Sequence, residues 1–445
     1  MKRNFPTYVV SRTSNIFSSR DVLIEFEESL KLQAEVDTIL EGNCASTKAS
    51  LHRVLDIAES VYSRWLGFIE EERCKVKSVM GTYFDPESSS GGSDNEVLVE
   101  RIYLRRFSPG WVFTRIIHKG LYSLARLKMY LREHEILTQL LSQRFFHTAR
   151  RGAWYQRKAL IEEHYLASIL VDSDKSETAT KRKWLMAALD TCCKGLQDPL
   201  THVSFHYDLQ KRIMKLEQKL KVPKRDQHDF HYAMLLKPTE RIVYGVQIQL
   251  DKNSVQGVSS VGTKTVWLDP DPAAKSARCS VEEMCLSYYR SLGWKGYHCE
   301  GSLLRTLFAY LFYDIIFLYI PNVFETEYQT CPLDLFTEAF YPTRISEVNH
   351  RLVDIENGGA KRLIREIWEK ESNREPCAVG LDWKYKLEDL EEIAECLPGG
   401  ALAAMCKVVC FKPQEQDCLM LTFVNIVVPR IPATECWITR FVFVG

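Results

Sequence analysis

Between residues 47 and 221 the chain repeats one pattern, an amphipathic segment of helical length followed by a short polar link. In the first segment, residues 47–74, apolar side chains recur at the spacing of one helix face: Leu51, Val54, Leu55, Ala58, Val61, Tyr62 and Trp65. Similar segments follow at residues 96–131, 134–145, 154–170, 181–196 and 206–221. Because each helix needs a neighbour to cover its apolar face, the pattern predicts an array resembling tetratricopeptide repeats, although no clean consensus repeat is visible.

The pattern changes after residue 240. Residues 240–268 alternate β-branched and polar side chains between Gly, Asn and Ser, which predicts paired strands. Ser280 is expected to cap a helix over residues 280–292, with Glu283 completing a capping box. Further helices are expected at residues 301–320, 344–354, 360–371 and 387–396, and Pro398-Gly-Gly is expected to break the chain.

The neutral total charge hides a strong segregation along the chain. The 58 basic and 58 acidic side chains cancel. Residues 101–225, however, hold 25 basic and 11 acidic side chains, a net charge of +14, whereas the flanking segments carry −6 and −8. A basic middle third is the expected footprint of a polyanion partner. The alternative is a solvated helical surface that is merely rich in lysine and arginine.

The cysteine pattern and the hydropathy of the chain indicate the cellular compartment in which the protein is expected. The 14 cysteines include no C-x-x-C pair, which favours reduced intracellular thiols. The first 15 residues lack the apolar core of a signal peptide. The most apolar run, residues 306–320, is too short to span a bilayer and contains Asp314, so we expect a buried helix and no membrane partner.

Arginines alternate with aromatic side chains in the basic segment, most densely in RRGAWYQRKAL, residues 150–160. Guanidinium groups match phosphate oxygens, and aromatic rings can stack on bases. Arg150, Arg151, Arg157 and Lys158 flank a glycine where a phosphate could approach the backbone, and Trp154 lies among them. The alternative is a set of helix caps and surface arginines.

Glu300, in GYHCEGS, is a candidate ligand for a hard cation such as Mg²⁺ or Mn²⁺. It lies between glycine-rich turns just before an apolar helix, so a helix-capping role is the alternative. The neighbouring His298 is interpreted as a structural histidine.

Metal-dependent phosphodiester cleavage usually needs further carboxylates and a lysine. Glu217-Gln-Lys219 lies in a basic helix, Pro270-Asp271 lies in a turn, and Asp382-Trp-Lys384 is a weak candidate. The chain contains no G-x-S-x-G, Walker A or G-x-G-x-x-G motif.

Several stretches resemble, in order, the Fanconi-associated nuclease family of DNA-repair nucleases with a VRR-NUC domain. They include NFPTYVVSRTSNIFSSRDVLIEF, YLRRFSPGWVFTRI, LLSQRFFHTARRGAWYQRKAL, CSVEEMCLSYYRSLGWKGYHCEGS, LFYDIIFLYIPNVF, CPLDLFTEAFYPTR and ECLPGGALAAMC, and they cover about residues 4–410.

The resemblance implies an α-helical tetratricopeptide-like domain followed by an α/β restriction-endonuclease-like domain. We therefore expect the end of a SAP-linked DNA-binding region at 1–40, the helical domain at 41–225, an incomplete VRR-NUC region at 226–410 and a divergent tail at 411–445. The implied activity is a Mg²⁺- or Mn²⁺-dependent 5′ flap endonuclease and 5′–3′ exonuclease that acts in interstrand cross-link repair. The implied partners are branched or 5′-flap DNA and Fanconi-pathway proteins, and the implied location is the nucleus.

The resemblance also suggests site residues. The family's H-x-E-G segment places a metal-binding glutamate at Glu300. Its R-G-x-W segment, which belongs to a basic 5′-phosphate pocket, matches Arg151 to Trp154, with Arg157 close by. Arg150, Lys158 and Trp154 are weaker candidates for the same pocket.

The chain departs from the family after ALAAMC. The family continues with Pro-Asp and Glu-Val-Lys followed by Gly-Pro, none of which occurs between residues 407 and 445. The family's zinc finger and most of its SAP-type domain also have no match. We therefore expect a partial or alternatively read product that binds branched DNA weakly without cutting it. An active family nuclease and a tetratricopeptide-type protein-interaction scaffold remain alternatives.

Overall fold

The computed structural model describes residues 3–12, 16–42, 47–83, 102–170, 177–231, 242–248, 266–269, 278–298, 302–337, 339–411, 425–429 and 437–439. Contacts divide the chain into two compact units. One, the helical unit, comprises residues 13–236 with 337–339. The other, the C-terminal unit, comprises residues 1–12, 237–336 and 340–445.

The described part of the helical unit consists of α-helices joined by short turns and 3₁₀ segments. The α-helices are α1 (Arg20–Glu41), α2 (Lys48–Tyr83), α3 (Pro109–Arg126), α4 (Tyr130–Ser142), α5 (Arg151–His164), α6 (Leu166–Ile169), α7 (Glu177–Gln197) and α8 (His206–Leu220). The predicted succession of helices is therefore confirmed. The segment expected at 96–131 begins its main helix only at Pro109, because the Ser108 side chain accepts a hydrogen bond from the Gly110 N–H and caps the helix there.

Periodic apolar residues of α2 form the core of the helical unit together with α3. Val54, Val61 and Trp65 are buried, as the spacing predicted. The indole Nε1 of Trp65 donates to Thr114 Oγ1 at 2.8 Å, so the polar atom of this fully buried ring is satisfied. A second cluster joins α5, α7 and α8 around Ala159.

The C-terminal unit combines helices with two small antiparallel sheets. Its helices are α9 (Val281–Ser291), α10 (Ser302–Leu311), α11 (Tyr313–Ile316), α12 (Phe340–Thr343), α13 (Ile345–Glu356), α14 (Ala360–Glu371), α15 (Leu387–Cys396) and α16 (Gly399–Phe411). Its strands are β1 (Gln247–Ile248), β2 (Val266–Leu268), β3 (Arg278–Cys279), β4 (Trp294–His298), β5 (Asn425–Pro429) and β6 (Trp437–Thr439). The sheet orders are β1-β2-β3 and β4-β5-β6.

Local patterns in this unit are largely confirmed. Within the segment expected to form paired strands, Gln247 lies opposite Trp267 in an antiparallel ladder. Ser280 caps α9 by accepting a hydrogen bond from the Glu283 N–H. The Glu283 carboxylate, however, does not return to the cap in a capping box but forms an ion pair with Arg290.

The expected break at Pro398-Gly-Gly is confirmed, since α15 ends at Cys396 and a separate helix, α16, begins at Gly399 with a bend of 105° between them. The N–H groups of Ala401 and Leu402 donate to the Pro398 carbonyl at 2.9 and 3.0 Å. Proline lacks an N–H group, but the first turn of a helix has no acceptor for one, so proline can begin a helix. The single helix expected at 301–320 is also interrupted, and forms α10 and α11.

The N-terminal segment, residues 4–12, packs on the C-terminal unit although more than 300 positions separate them. The Tyr8 hydroxyl accepts from the Gln329 N–H at 2.7 Å, and its ring stacks on Phe324 with 4.0 Å between centroids. The Ser11 N–H donates to the Phe324 carbonyl, and the Cys377 N–H donates to the Asn4 carbonyl. This segment is thus part of the C-terminal unit.

Among the described residues, no helix is long and apolar enough on its own to cross a membrane. The helix pair α15 and α16 passes that test of length and composition together, with a bend of 105° between its members.

Gly399 is required where α16 approaches α13. A Cβ atom at Gly399 would lie 2.6 Å from the Glu356 carbonyl oxygen, whereas at Gly400 it would meet no atom within 4 Å. We expect Gly399→Ala to lower the free energy of unfolding by about 1–3 kcal/mol, because backbone must move. The matched control, Gly400→Ala, should leave it unchanged or raise it by up to about 1 kcal/mol. Urea unfolding followed by tryptophan fluorescence measures both, and equal effects would contradict the close approach.

Candidate functional site

Arg151 lies at the first residue of α5 and is buried, with 1% of its surface exposed. Its guanidinium donates to the Asp198 carboxylate, with Nε to Oδ2 at 2.7 Å. It also donates to the Gln143 carbonyl at 2.5 Å and to the Leu141 carbonyl at 3.0 Å. These bonds join the start of α5 to the ends of α4 and α7. Arg151 therefore has a structural role, and its predicted direct contact with phosphate stays a prediction.

Asp198 is the charge partner that makes the burial of Arg151 tolerable. Burial acts to raise the pKa of Asp198, but the Arg151 guanidinium and the Leu200 N–H stabilise the carboxylate more strongly, so the pKa lies below its ordinary value. The Tyr155 hydroxyl adds a hydrogen bond to the same oxygen at 3.1 Å.

Arg157, two turns along α5, is partly exposed and faces a cleft. Its Nε and Nη2 groups donate to the two oxygens of Glu133 at 2.6 and 3.0 Å. Glu133 is buried, with 1% of its side chain exposed, so it anchors the guanidinium from the protein side. The hydrogen bond to Glu133 raises the pKa of Arg157.

The cleft between α5 and α8, which we call the basic cleft, has a volume of about 430 Å³. It is lined by Ala153, Gln156, Arg157, Leu160, Asp208, Lys211, Arg212 and Lys215. Four of these side chains are cationic and one, Asp208, is anionic, so the cleft carries a net positive charge. Gln156 donates to Asp208 at 3.2 Å, which occupies part of that carboxylate.

The buried side chain of Glu163 forms ion pairs with three cations of α8. Its carboxylate is buried and accepts from Arg212 Nη1 and from Lys219 Nζ, each at 2.5 Å, while Lys215 Nζ lies 3.6 Å away. Burial acts to raise the pKa of Glu163, but the Lys219 ammonium and the other neighbouring cations outweigh it and lower the pKa. Lys211 is exposed and forms no ion pair with a described residue.

The weaker candidates from the sequence, Trp154, Arg150 and Lys158, contact other side chains of the helical unit. Trp154 is buried and its indole N–H donates to His118 Nδ1 at 3.1 Å. Arg150 lies against the other nitrogen of His118, with Nη1 and Nε2 3.2 Å apart. Lys158 pairs with Glu162 at 3.8 Å. The structure thus brings Arg157 to the basic cleft and gives Trp154 and Lys158 contacts within the protein.

Lys211, Arg212 and Lys215 were not among the residues singled out from the sequence. Their spacing along α8 places all three on one helix face. In the sequence, Leu209, Ile213 and Leu216 recur at the spacing of one apolar helix face. This pattern predicts that the cations between them lie on the opposite, exposed face. Which helix this face lies beside, however, depends on the packing of α5 against α8.

The expected metal site has no counterpart among the described residues. Glu300 lies outside them, and within them no three His, Cys, Asp or Glu side chains are grouped to hold a metal ion. Lys384 pairs with Asp382 at 2.8 Å, and Lys295 Nζ lies 2.8 Å from Glu392 and also bonds to Asp389. These described carboxylates are thus paired with lysines.

Comparison with known proteins places the helical unit in a defined family. A family model described as the TPR domain of Fanconi-associated nuclease 1 matches residues 45–217, so the predicted tetratricopeptide-like domain is confirmed. The chain is 34% identical over 404 residues to the Fanconi-associated nuclease 1 homolog of Schizosaccharomyces pombe, a match that covers 90% of this chain and 53% of that protein.

More distant relatives match over a similar stretch. Fanconi-associated nuclease 1 of Homo sapiens is 26% identical over 414 residues, which cover 91% of this chain and 36% of that protein. The chain thus spans about half the length of the Schizosaccharomyces pombe relative and just over a third of the human one. A crystal structure of paFAN1 bound to 5′ flap DNA is similar with a TM-score of 0.49 and 15% identity, and covers 72% of this chain and 47% of that chain.

The Arg151–Asp198 pair should dominate the acid sensitivity of the helical unit. We expect Asp198→Asn to lower the free energy of unfolding at neutral pH by about 3–5 kcal/mol, because it leaves a buried guanidinium without its counter-charge. The folded-state pKa of Asp198 is depressed below its ordinary value of 3.8. The stabilisation is therefore fully present above that value and is lost as the pH falls towards the folded-state pKa.

The difference between the wild type and Asp198→Asn should accordingly shrink as the pH is lowered below 3.8. Urea midpoints measured across this range test the expectation. The matched control is Asp190→Asn on α7, whose exposed carboxylate pairs with Lys194 and should contribute little at any pH. A difference that stays constant with pH would contradict the assigned role of the pair.

Proposed function

Because the chain belongs to the Fanconi-associated nuclease family, we propose that it binds branched DNA and that the basic cleft binds a phosphate of a 5′ flap. The observation that carries the proposal is the set of four cations, Arg157, Lys211, Arg212 and Lys215, around one cleft of the helical unit. Phosphate is attracted to such a cleft because the field of several cations adds in a partly enclosed space. This interpretation extends the predicted role of Arg157.

Arg151 supports the site from within in this proposal. Its bonds to Asp198, Gln143 and Leu141 fix where α5 begins, and α5 carries Arg157 two turns later. The RRGAW motif thus contributes one buried arginine that positions the helix and leaves phosphate contact to cations farther along it. Arg150 and Lys158 remain weaker candidates for contacts with the DNA backbone.

The family's wider role that we propose is in the nucleus, in interstrand cross-link repair, with Fanconi-pathway proteins as expected partners. Mg²⁺ or Mn²⁺ would supply positive charge at the scissile phosphate there, with Glu300 as the expected ligand in this sequence. Among the described residues no set of metal ligands is grouped, and no Pro-Asp or Glu-x-Lys motif follows ALAAMC in the sequence. DNA binding without cleavage is therefore the function that the chain itself supports best.

Lys211→Gln is the sharpest test of the proposed phosphate contact. Its ammonium forms no ion pair with a described residue, so its loss leaves no buried charge unpaired. We expect about three- to tenfold weaker binding of a 5′-phosphorylated flap. The slope of log affinity against log salt concentration should also become shallower by about one, which corresponds to one lost phosphate contact. Fluorescence anisotropy at several salt concentrations measures both quantities, and Lys215→Gln should behave similarly.

The matched control is Lys31→Gln on α1, which removes another exposed cation, paired with Glu27, from a helix that does not line the cleft. It should leave the affinity and the salt slope nearly unchanged. Equal losses for Lys31→Gln and Lys211→Gln would show that the cleft has no special role. Binding that is absent at all salt concentrations would instead favour the protein-interaction scaffold.

The purified chain should not cut the DNA that it binds. We expect no product after incubation with a 5′-flap duplex and Mn²⁺, because no Pro-Asp or Glu-x-Lys follows ALAAMC to complete the acidic set. Denaturing gel electrophoresis of end-labelled DNA is the measurement. Robust cleavage that disappears in Glu300→Ala would show that the chain assembles an active site from other residues.

A further inference from the structure

Three side chains of the helical unit form a relay away from the basic cleft. Cys193 lies on α7, Glu217 on α8, and His228 follows α8 in the chain. The Cys193 Sγ atom lies 3.8 Å from His228 Nε2, and His228 Nδ1 lies 2.6 Å from Glu217 Oε1. A nucleophile, a base and a carboxylate that orients the base are thus within hydrogen-bonding reach in series.

The hydrogen bonds define the proton positions in this relay. The Glu217 carboxylate is buried and also accepts the backbone N–H of His228 at 3.1 Å. Since a carboxylate can only accept, Nδ1 of the neutral imidazole must carry the proton. Nε2 is then the acceptor nitrogen, and it faces the Cys193 thiol. His228 also stacks on Phe230, with 5.8 Å between ring centroids, which limits rotation of the imidazole.

Solvent and small molecules can reach the His228 and Cys193 side chains of this relay. The His228 side chain is 46% exposed and Cys193 is partly exposed. Burial, followed by the Glu217 and Asp190 carboxylates, raises the pKa of the Cys193 thiol. The resting thiol is therefore protonated, and it can react rapidly only if a neighbouring base takes its proton during attack.

We propose that Cys193 is a modification site for α,β-unsaturated carbonyl compounds, with His228 as the base and Glu217 as the residue that positions it. The thiol proton passes to His228 Nε2 as sulfur attacks the β-carbon. The S–C bond forms while the π-electron pair of the C=C bond moves onto the carbonyl system as an enolate. The enolate α-carbon then takes the proton back from His228 Nε2, so the reaction needs no further reagent.

N-ethylmaleimide labelling of the intact chain, quantified for each cysteine by mass spectrometry, tests the proposal. We expect Cys193 to react about tenfold faster in the folded chain than in the chain unfolded by guanidinium, because the base is present only after folding. Burial without a base would have the opposite effect. A folded-chain rate at or below the unfolded rate would therefore overturn the proposal.

The contribution of the His228 base to the labelling rate is measured by replacing it. His228→Gln should slow the labelling of Cys193 about tenfold, and Glu217→Gln should slow it less, since the imidazole remains. Cys377 is exposed and serves as the internal control, and its rate should not change. Cys192 is fully buried and should stay unlabelled while the fold persists. An unchanged Cys193 rate in His228→Gln would exclude the role assigned to the histidine.

Discussion

Buried carboxylates organise the helical unit. Among the acidic side chains between residues 101 and 225 whose burial the structure describes, five are buried: Glu133, Glu162, Glu163, Asp198 and Glu217. An ionised carboxylate can be buried only with hydrogen bonds and a nearby positive charge. Each of the five bonds to a cation or a histidine: Asp198 to the equally buried Arg151, and the others to partly exposed partners such as Arg157 and Arg212. Apart from the Arg151 pair, the acids thus face inwards and their basic partners lie nearer the solvent.

This arrangement explains which sequence inferences succeeded. Helices were predictable because the positions of Val54, Val61 and Trp65 follow helical spacing, and apolar burial alone selects them. The +14 segment was predictable as a count. The positions of its charges were not, because the pairing of Glu133 with Arg157 and of Glu163 with Arg212 joins residues 24 and 49 positions apart. RRGAWYQRKAL looked like a uniform basic cluster, yet packing buries Arg151 and leaves Arg157 at a cleft.

The C-terminal unit shows a different limit to prediction from sequence, namely that local composition does not identify packing partners. Pro398-Gly-Gly ends the preceding helix, as its composition predicts, but the composition does not show that a new helix starts there, with the Pro398 carbonyl accepting its first hydrogen bonds and Gly399 admitting the Glu356 carbonyl. Local composition indicates what a backbone permits, whereas the packing partner determines which permitted conformation forms. The Tyr8 contacts with Phe324 and Gln329 show this over more than 300 positions. Nothing in the residues around Tyr8 identifies a partner more than 300 positions away.

The same carboxylates bear on how tightly the basic cleft could hold DNA. Arg157 directs Nε and Nη2 at Glu133, and Arg212 directs Nη1 at Glu163, so the fork geometry that grips a phosphate with two parallel bonds is partly used inside the protein. The contacts left to a phosphate come mainly from Lys211 and Lys215, which act as mobile point charges. Such contacts attract the DNA backbone strongly at low salt and weakly at physiological salt, without regard to sequence. Recognition of a branch would then depend on where the flap end reaches the cleft.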